Sequence, residues 1–309
     1  MKQDMKSAVV YQIYPKSFYS HHGTPTGDLL GVVDKLDYLA WLGVDYLWLT
    51  PFYRSLQRDN GYDVSDYYAI DPAYGTMEDF ELLLAEAGRR GMGIMLDIVV
   101  NHTSTDHPWF QAARQGRSNP YRDFYIWRDE PNNWRSKFGG PAWERDEDSG
   151  QYYLHLFDRS QADLNWDNPV VRQAVYAMMR FWADKGVAGF RLDVINLISK
   201  TPGLPDDDSG DGRRWYTDGP RVHDYLQEMH REVFAGRRLL TVGEMSSTSL
   251  PHCVAYTQPQ RRELSMTFSF HHLKVDYPDG EKWCAAPFDS AARSMTRWKC
   301  SQVCRPATE

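Results

Sequence analysis

Six apolar runs of strand length recur along the chain, at residues 8–18, 44–53, 92–102, 187–195, 238–246 and 264–273. Between them, over 28–43, 77–91, 169–186 and 220–236, apolar positions return every three or four residues, and a Gly stands near the end of each stretch. This alternation predicts helices crossing between parallel strands. The connection 247–263 reads as a weaker helix. One interval breaks the rhythm: residues 103–168 are rich in Trp, Asn, Gly and Asp and far exceed the usual ~4 to 6 residues of a connection. A small inserted subdomain beside a cleft is expected there.

The polar residues of the runs gather at their carboxyl ends: Asp97, Asn101 and His102 in the third, Arg191 and Asp193 in the fourth, Glu244 in the fifth. A (β/α)8 barrel builds its active site at that end, and an open doubly wound sheet binds ligands there too. The first turn separates the two folds. A dinucleotide-binding sheet needs a Gly-rich loop, and 15-PKSFYSHHGTPTGDL-29 has none of the required spacing. The expected fold is therefore α/β, a (β/α)8 TIM barrel occupying 1–102 and 169–283 with an insert at 103–168, and only six of its eight strands are found.

Composition narrows the partners. The 309 residues are 42% hydrophobic and 25% charged, and 14% aromatic with 11 Trp and 19 Tyr, which suits stacking on ring-shaped ligands such as carbohydrate. A formal net charge of −7 argues against nucleic acid, which needs a basic face. No stretch approaches the ~20 apolar residues of a membrane span, and residues 1–16 lack a signal-peptide pattern, so no membrane partner and a cytoplasmic location are expected. The four cysteines form neither a zinc pattern nor a disulfide framework.

An ion buried alone in a strand costs several kcal/mol, so Arg191 and Asp193 inside 187-VAGFRLDVI-195 require a reason. Asp193 and Glu244 end consecutive strands, and neighbouring strands lie ~4.8 Å apart. Carboxyls about 5 to 5.5 Å apart serve a retaining glycosidase, one attacking and the other protonating the leaving oxygen. Arg191 shares a strand face with Asp193 and is expected to keep it ionised, while burial near Met245 keeps Glu244 protonated. Other readings stand beside this one: a self-satisfied Arg191–Asp193 pair, Glu244 as a helix cap, or a mixed metal site from Asp97, His102, Asp193 and Glu244.

The segments 97-DIVVNH-102, 161-QADLN-165, 189-GFRLDVIN-196 and 243-GEMS-246 resemble, in order and separation, the signature regions of the α-amylase superfamily, glycoside hydrolase family 13, in its oligo-1,6-glucosidase branch. Within that branch, 10-VYQIYPKSF-18, 132-NNWRSKFGG-140, 207-DDSGDGRRWYTDGP-220, 243-GEMSSTSL-250 and 264-LSMTFSFHHLKVDYP-278 are most similar to its trehalose-6-phosphate hydrolase subfamily. The resemblance implies Asp193 as nucleophile oriented by Arg191, and Glu244 as general acid and base. It implies Asp59 and Tyr62 of 58-RDNGYD-63 as a hydroxyl contact and a stacking platform for the first glucose. His102 would bind the glucose 6-hydroxyl, with Asn101 and Asp97 supporting that loop. The implied activity is retaining hydrolysis of α,α-trehalose 6-phosphate to glucose and glucose 6-phosphate, or alternatively cleavage of isomaltose-type neutral glucosides.

Some positions depart from that pattern. The loop 19–28 keeps only Asp28 of the acidic residues that hold calcium in many relatives, so no metal and no cofactor is expected. The substrate phosphate would need cationic donors, and Arg213, Arg214, His271, His272 and Lys274 are the candidates. The Asn-His-Asp segment carrying the third catalytic carboxylate is not found, which implies an impaired or silent fragment. Residues 284–309, with four basic and two acidic residues and three cysteines, read as a divergent or out-of-frame tail.

Overall fold

A computed structural model describes residues 7–208 and 210–270. Six strands form the central sheet: β1 (Val10–Ile13), β2 (Tyr46–Leu49), β3 (Gly93–Ile98), β4 (Gly189–Leu192), β5 (Leu240–Met245) and β6 (Met266–Ser269). Their spatial order is their chain order, and every neighbouring pair is parallel. A doubly wound sheet would reverse direction at a switch point. An unbroken sequence order of parallel strands is that of six consecutive strands of a (β/α)8 barrel.

Each strand is shorter than its apolar run. β1 ends at Ile13 because Pro15 opens the short helix Pro15–Phe18, and β4 ends at Leu192, leaving Asp193 just beyond the ladder. The run 44–53 divides: after β2, Tyr53–Ser55 pairs antiparallel with Val64–Ile70. That hairpin escapes the apolar pattern because its loop is polar and turns on the left-handed residues Gln57 and Asn60.

Six helices flank the sheet: α1 (Leu29–Asp34), α2 (Leu36–Trp41), α3 (Met77–Arg89), α4 (Pro169–Asp184), α5 (Val222–Met229) and α6 (Leu250–Tyr256). The single helix expected over 28–43 is broken at Lys35, whose ψ of 2° leaves the helical region. α4 shows how sequence sets an element. Asn168 caps it by accepting the Val170 N–H, Pro169 fills the first position, and Gly186 follows its end at φ +98°. Val171, Val175, Met178, Met179 and Trp182 form its buried face. Removing a side chain such as Trp182 costs about 3–5 kcal/mol.

Alternation along the strands gives the sheet two faces. Leu47, Leu49, Ile94, Leu96, Ile98, Phe190 and Leu192 face the helices in the main core. Tyr46, Met95 and Leu240, with Trp48, Val242 and Met266, fill the opposite, interior face. Asp97 and Arg191 pair directly in register, and Glu244 lies two positions beyond Val242 on that interior side.

Between β3 and β4, Trp127–Arg128, Tyr152–Leu154 and Trp143–Arg145 form a three-stranded antiparallel sheet. His102–Ser104 pairs with Gln161–Asp163 at its base. Its core of Trp134, Trp143, Leu154 and Leu156 continues into Val194, Leu197 and Tyr216, so the segment packs directly on the turn that follows Asp193. Among the described residues, no helix is long and apolar enough to cross a membrane. The tail 284–309 lies outside the described residues, as do His271, His272 and Lys274.

Candidate active site

Arg191 is the centre of the site. Its Nη1 donates to Asp97 Oδ1 at 2.6 Å and to Asp193 Oδ1 at 2.7 Å, and its Nη2 donates to Glu244 Oε2. The sequence reading gave Arg191 to Asp193 alone; three carboxylates share it. The guanidinium also lies 5.1 Å from the ring centre of Trp48 and 5.7 Å from those of Tyr62 and Phe268, within cation–π range. Burial opposes its charge, but the three carboxylates hold it firmly protonated. A fixed cation thus fills the position that the mixed-metal reading gave to an ion.

The carboxylates are not equivalent. Burial first, then the neighbouring Asp193 charge, pushes Glu244 up to about 8 against the pull of Arg191. Burial likewise raises Asp97 to about 6, opposed by Arg191 and reinforced by Asp193. One carboxyl that keeps its proton at neutral pH beside another that faces an arginine is the division of roles that acid and nucleophile need. Glu244 is no helix cap, because Ser249 caps α6.

Asp97 serves Arg191 rather than the His102 loop that the resemblance assigned to it. Its second oxygen accepts from Trp48 Nε1 and from the Tyr62 hydroxyl, both at 3.1 Å. Burial and the Asp97 charge keep the Tyr62 phenol neutral far above its usual range. Gln161 joins the remaining contacts: its Nε2 donates to Asp59 Oδ2 at 2.9 Å and lies 3.1 Å from His102 Nε2. His102 Nε2 is in turn 3.2 Å from the Tyr62 carbonyl oxygen. Burial raises the Asp59 carboxyl as well.

Asn101 supports the base of the 103–168 segment, together with a residue the sequence reading missed. Lys200 Nζ lies 2.7 Å from Asp163 Oδ2 and donates to Asn101 Oδ1 at 2.9 Å, while Asn101 Nδ2 donates to Asp163 at 3.0 Å. All three side chains are buried. Asp28, the acid of the loop 19–28, is the N-cap of α1, accepting from the amides of Gly31 and His21.

The loops behind the two carboxyls are clamped to each other. Val194, with φ +36°, donates its N–H to Glu244 Oε2 at 3.2 Å; left-handed backbone in a β-branched residue is strained, costing of order 1–3 kcal/mol. Asn196 bonds both backbone groups of Ser246, each at 2.9 Å. It also donates to Asp218, which accepts from Thr248 and from Tyr256 at 2.7 Å. Arg213 and Arg214, two of the phosphate candidates, are ion-paired with Asp211 at 2.8 Å and Asp207 at 2.7 Å. Neither joins the Arg191 cluster.

Comparison with known proteins agrees with this geometry. The family "Alpha amylase, catalytic domain" matches residues 12–306, running well into the tail that was expected to resemble nothing in it. The chain is 62% identical over 290 residues to trehalose-6-phosphate hydrolase of Bacillus subtilis (strain 168), covering 92% of this chain and 52% of that one. An oligo-1,6-glucosidase of Parageobacillus thermoglucosidasius is 52% identical over 307 residues, with 95% and 55% covered. The crystal structure of Bacillus licheniformis trehalose-6-phosphate hydrolase superposes with a TM-score of 0.92 at 58% identity, covering 97% of this chain and 56% of that one. The chain thus spans about half the length of the curated relatives it matches. With the strand order, the Arg191 cluster and the match over most of its length in agreement, the chain belongs to the alpha-amylase catalytic-domain family.

Proposed function

We propose that this chain carries the nucleophile and the acid/base of a retaining α-glycosidase acting on α,α-trehalose 6-phosphate. The observation that carries the reading is the pair of carboxyls on one guanidinium, with Glu244 pushed up to about 8 by burial and by Asp193. Asp193 attacks the anomeric carbon as Glu244 gives its proton to the leaving glycosidic oxygen. Glucose 6-phosphate departs and a glucosyl ester forms on Asp193. Glu244, now a carboxylate, takes a proton from water, which displaces the ester and releases glucose. Asp59, Tyr62 and His102 hold the glucose at its far hydroxyls, its face and its 6-hydroxyl. The two trehalose-6-phosphate hydrolases at 62% and 61% identity support a phosphorylated substrate.

A second reading, cleavage of neutral α-1,6-glucosides, draws on the oligo-1,6-glucosidases at 48–52% identity. Glucose release from trehalose 6-phosphate, trehalose and isomaltose, measured on the 309-residue chain beside Asp193→Asn, separates the two. The first reading expects Asp193-dependent release from the phosphorylated sugar above either neutral one. Preference for isomaltose selects the second. Absence of release from all three leaves neither.

A further inference from the structure

The stretch Ser136–Gly140 is a tight turn in the 103–168 segment, with Gly139 and Gly140 at φ +98° and +76°. Ser136 N–H donates to the Gly140 carbonyl at 3.0 Å. The turn is seated on the neighbouring strand end by Lys137 N–H to Leu156 O at 2.8 Å and Ser136 Oγ to Phe157 O at 2.6 Å. The Phe157 ring lies 5.3 Å from the His102 ring on one side and 5.6 Å from the Phe138 ring on the other. Phe138 itself is 61% exposed. A line of rings therefore leads from the glucose-binding histidine to an open aromatic face.

Lys137 points from the same turn toward the acid. Its Nζ is 3.4 Å from the hydroxyl of Ser247, three residues beyond Glu244, and 5.4 Å from the ring centre of Tyr216. Ser247 holds φ +57° at the end of β5, which fixes the hydroxyl in place. A leaving group protonated by Glu244 departs past this loop. An ammonium and a hydroxyl side by side are donors for a phosphate, and an exposed ring beside them gives a sugar face something to stack on. Arg213 and Arg214 are matched by Asp211 and Asp207 and offer that phosphate a neutralised pair each.

We propose that Lys137 and Ser247 bind the phosphate of a phosphorylated hexose leaving group while Phe138 stacks against its ring. This rests on the glycosidase reading above and names the residues that give it leaving-group specificity. The test is calorimetric titration of the 309-residue chain with glucose 6-phosphate and, separately, with glucose. The wild-type chain is expected to bind glucose 6-phosphate about tenfold more tightly than glucose, as one charge-assisted contact allows. Lys137→Met removes that preference and leaves glucose affinity and thermal unfolding unchanged, and Lys137→Arg keeps most of it. A Lys137→Met chain that retains the preference, or loses affinity for both sugars equally, overturns the inference. So does a wild-type chain that binds the two alike or binds neither. Asp193-dependent glucose release with no Lys137-dependent preference fails only this inference and leaves the glycosidase reading standing.

Discussion

The strand ends and the 103–168 segment build the site by different physics. At the strand ends, Asp97, Asp193 and Glu244 crowd one guanidinium, so charge sets the geometry and is imperfectly balanced. In the segment, aromatic packing and backbone hydrogen bonds dominate, as where Trp134 Nε1 donates to the Pro205 carbonyl at 2.8 Å and Trp134 packs 5.4 Å from Tyr216. Its principal buried charge is at the root, on Lys200. The difference teaches that the reacting region holds electrostatic tension for chemistry, while the covering region is built for shape.

The comparison breaks first at the nucleophile. Asp193→Asn is expected to lower the rate by on the order of 10⁴-fold with little change in melting temperature, measured on an activated aryl α-glucoside. A large loss of stability instead would make Asp193 a structural partner of Arg191. At the root of the segment, Lys200→Met leaves Asp163 buried without its cation and costs about 3–5 kcal/mol, read by urea unfolding. A loss under 1 kcal/mol would mean that the aromatic core alone secures the segment.

Asn196→Ala sharpens the boundary between the two regions. It strips both backbone groups of Ser246 of their partner, at about 1–3 kcal/mol, and the alkaline limb of the rate profile should shift because Glu244 loses its fixed position. The smallest effect is Glu244→Gln, expected to stabilise the fold by about 1 kcal/mol at pH 7–8 while abolishing turnover. The sign follows from linkage: Glu244 ionises near 4.5 when unfolded and at about 8 when folded. Its protonated form is compatible with the fold below 4.5, and stability is lost as pH rises from there through 8. The gain from glutamine must therefore vanish below pH 4.5. For the same reason, turnover by a protonated acid should fall as pH passes about 8.

Much of the reacting region was legible because charged residues in an apolar, alternating run are conspicuous. Asp97, Arg191, Asp193 and Glu244 stood out at strand ends, and period two put them on one face. Trp48 and Phe268, which flank the same guanidinium, did not, because an aromatic residue in a strand reads as core. Gln161, Asn196 and Lys200 were invisible for another reason. Their partners lie 102, 50 and 99 residues away at Asp59, Ser246 and Asn101, and no local pattern records a contact made by tertiary packing. The hairpin through Tyr53–Ser55 was hidden by its polar loop, and the split of α1 from α2 by a run that stays amphipathic across Lys35.

Lys200 has a consequence outside catalysis. The positive charge that joins Asn101 to Asp163 is carried on the chain's own side chain, so dilution or dialysis cannot strip it and its stoichiometry is always one. The anchorage of the segment is in that sense inherited rather than acquired from the medium. Its strength should follow the acidity of a buried amine rather than the ionic make-up of the solution around it.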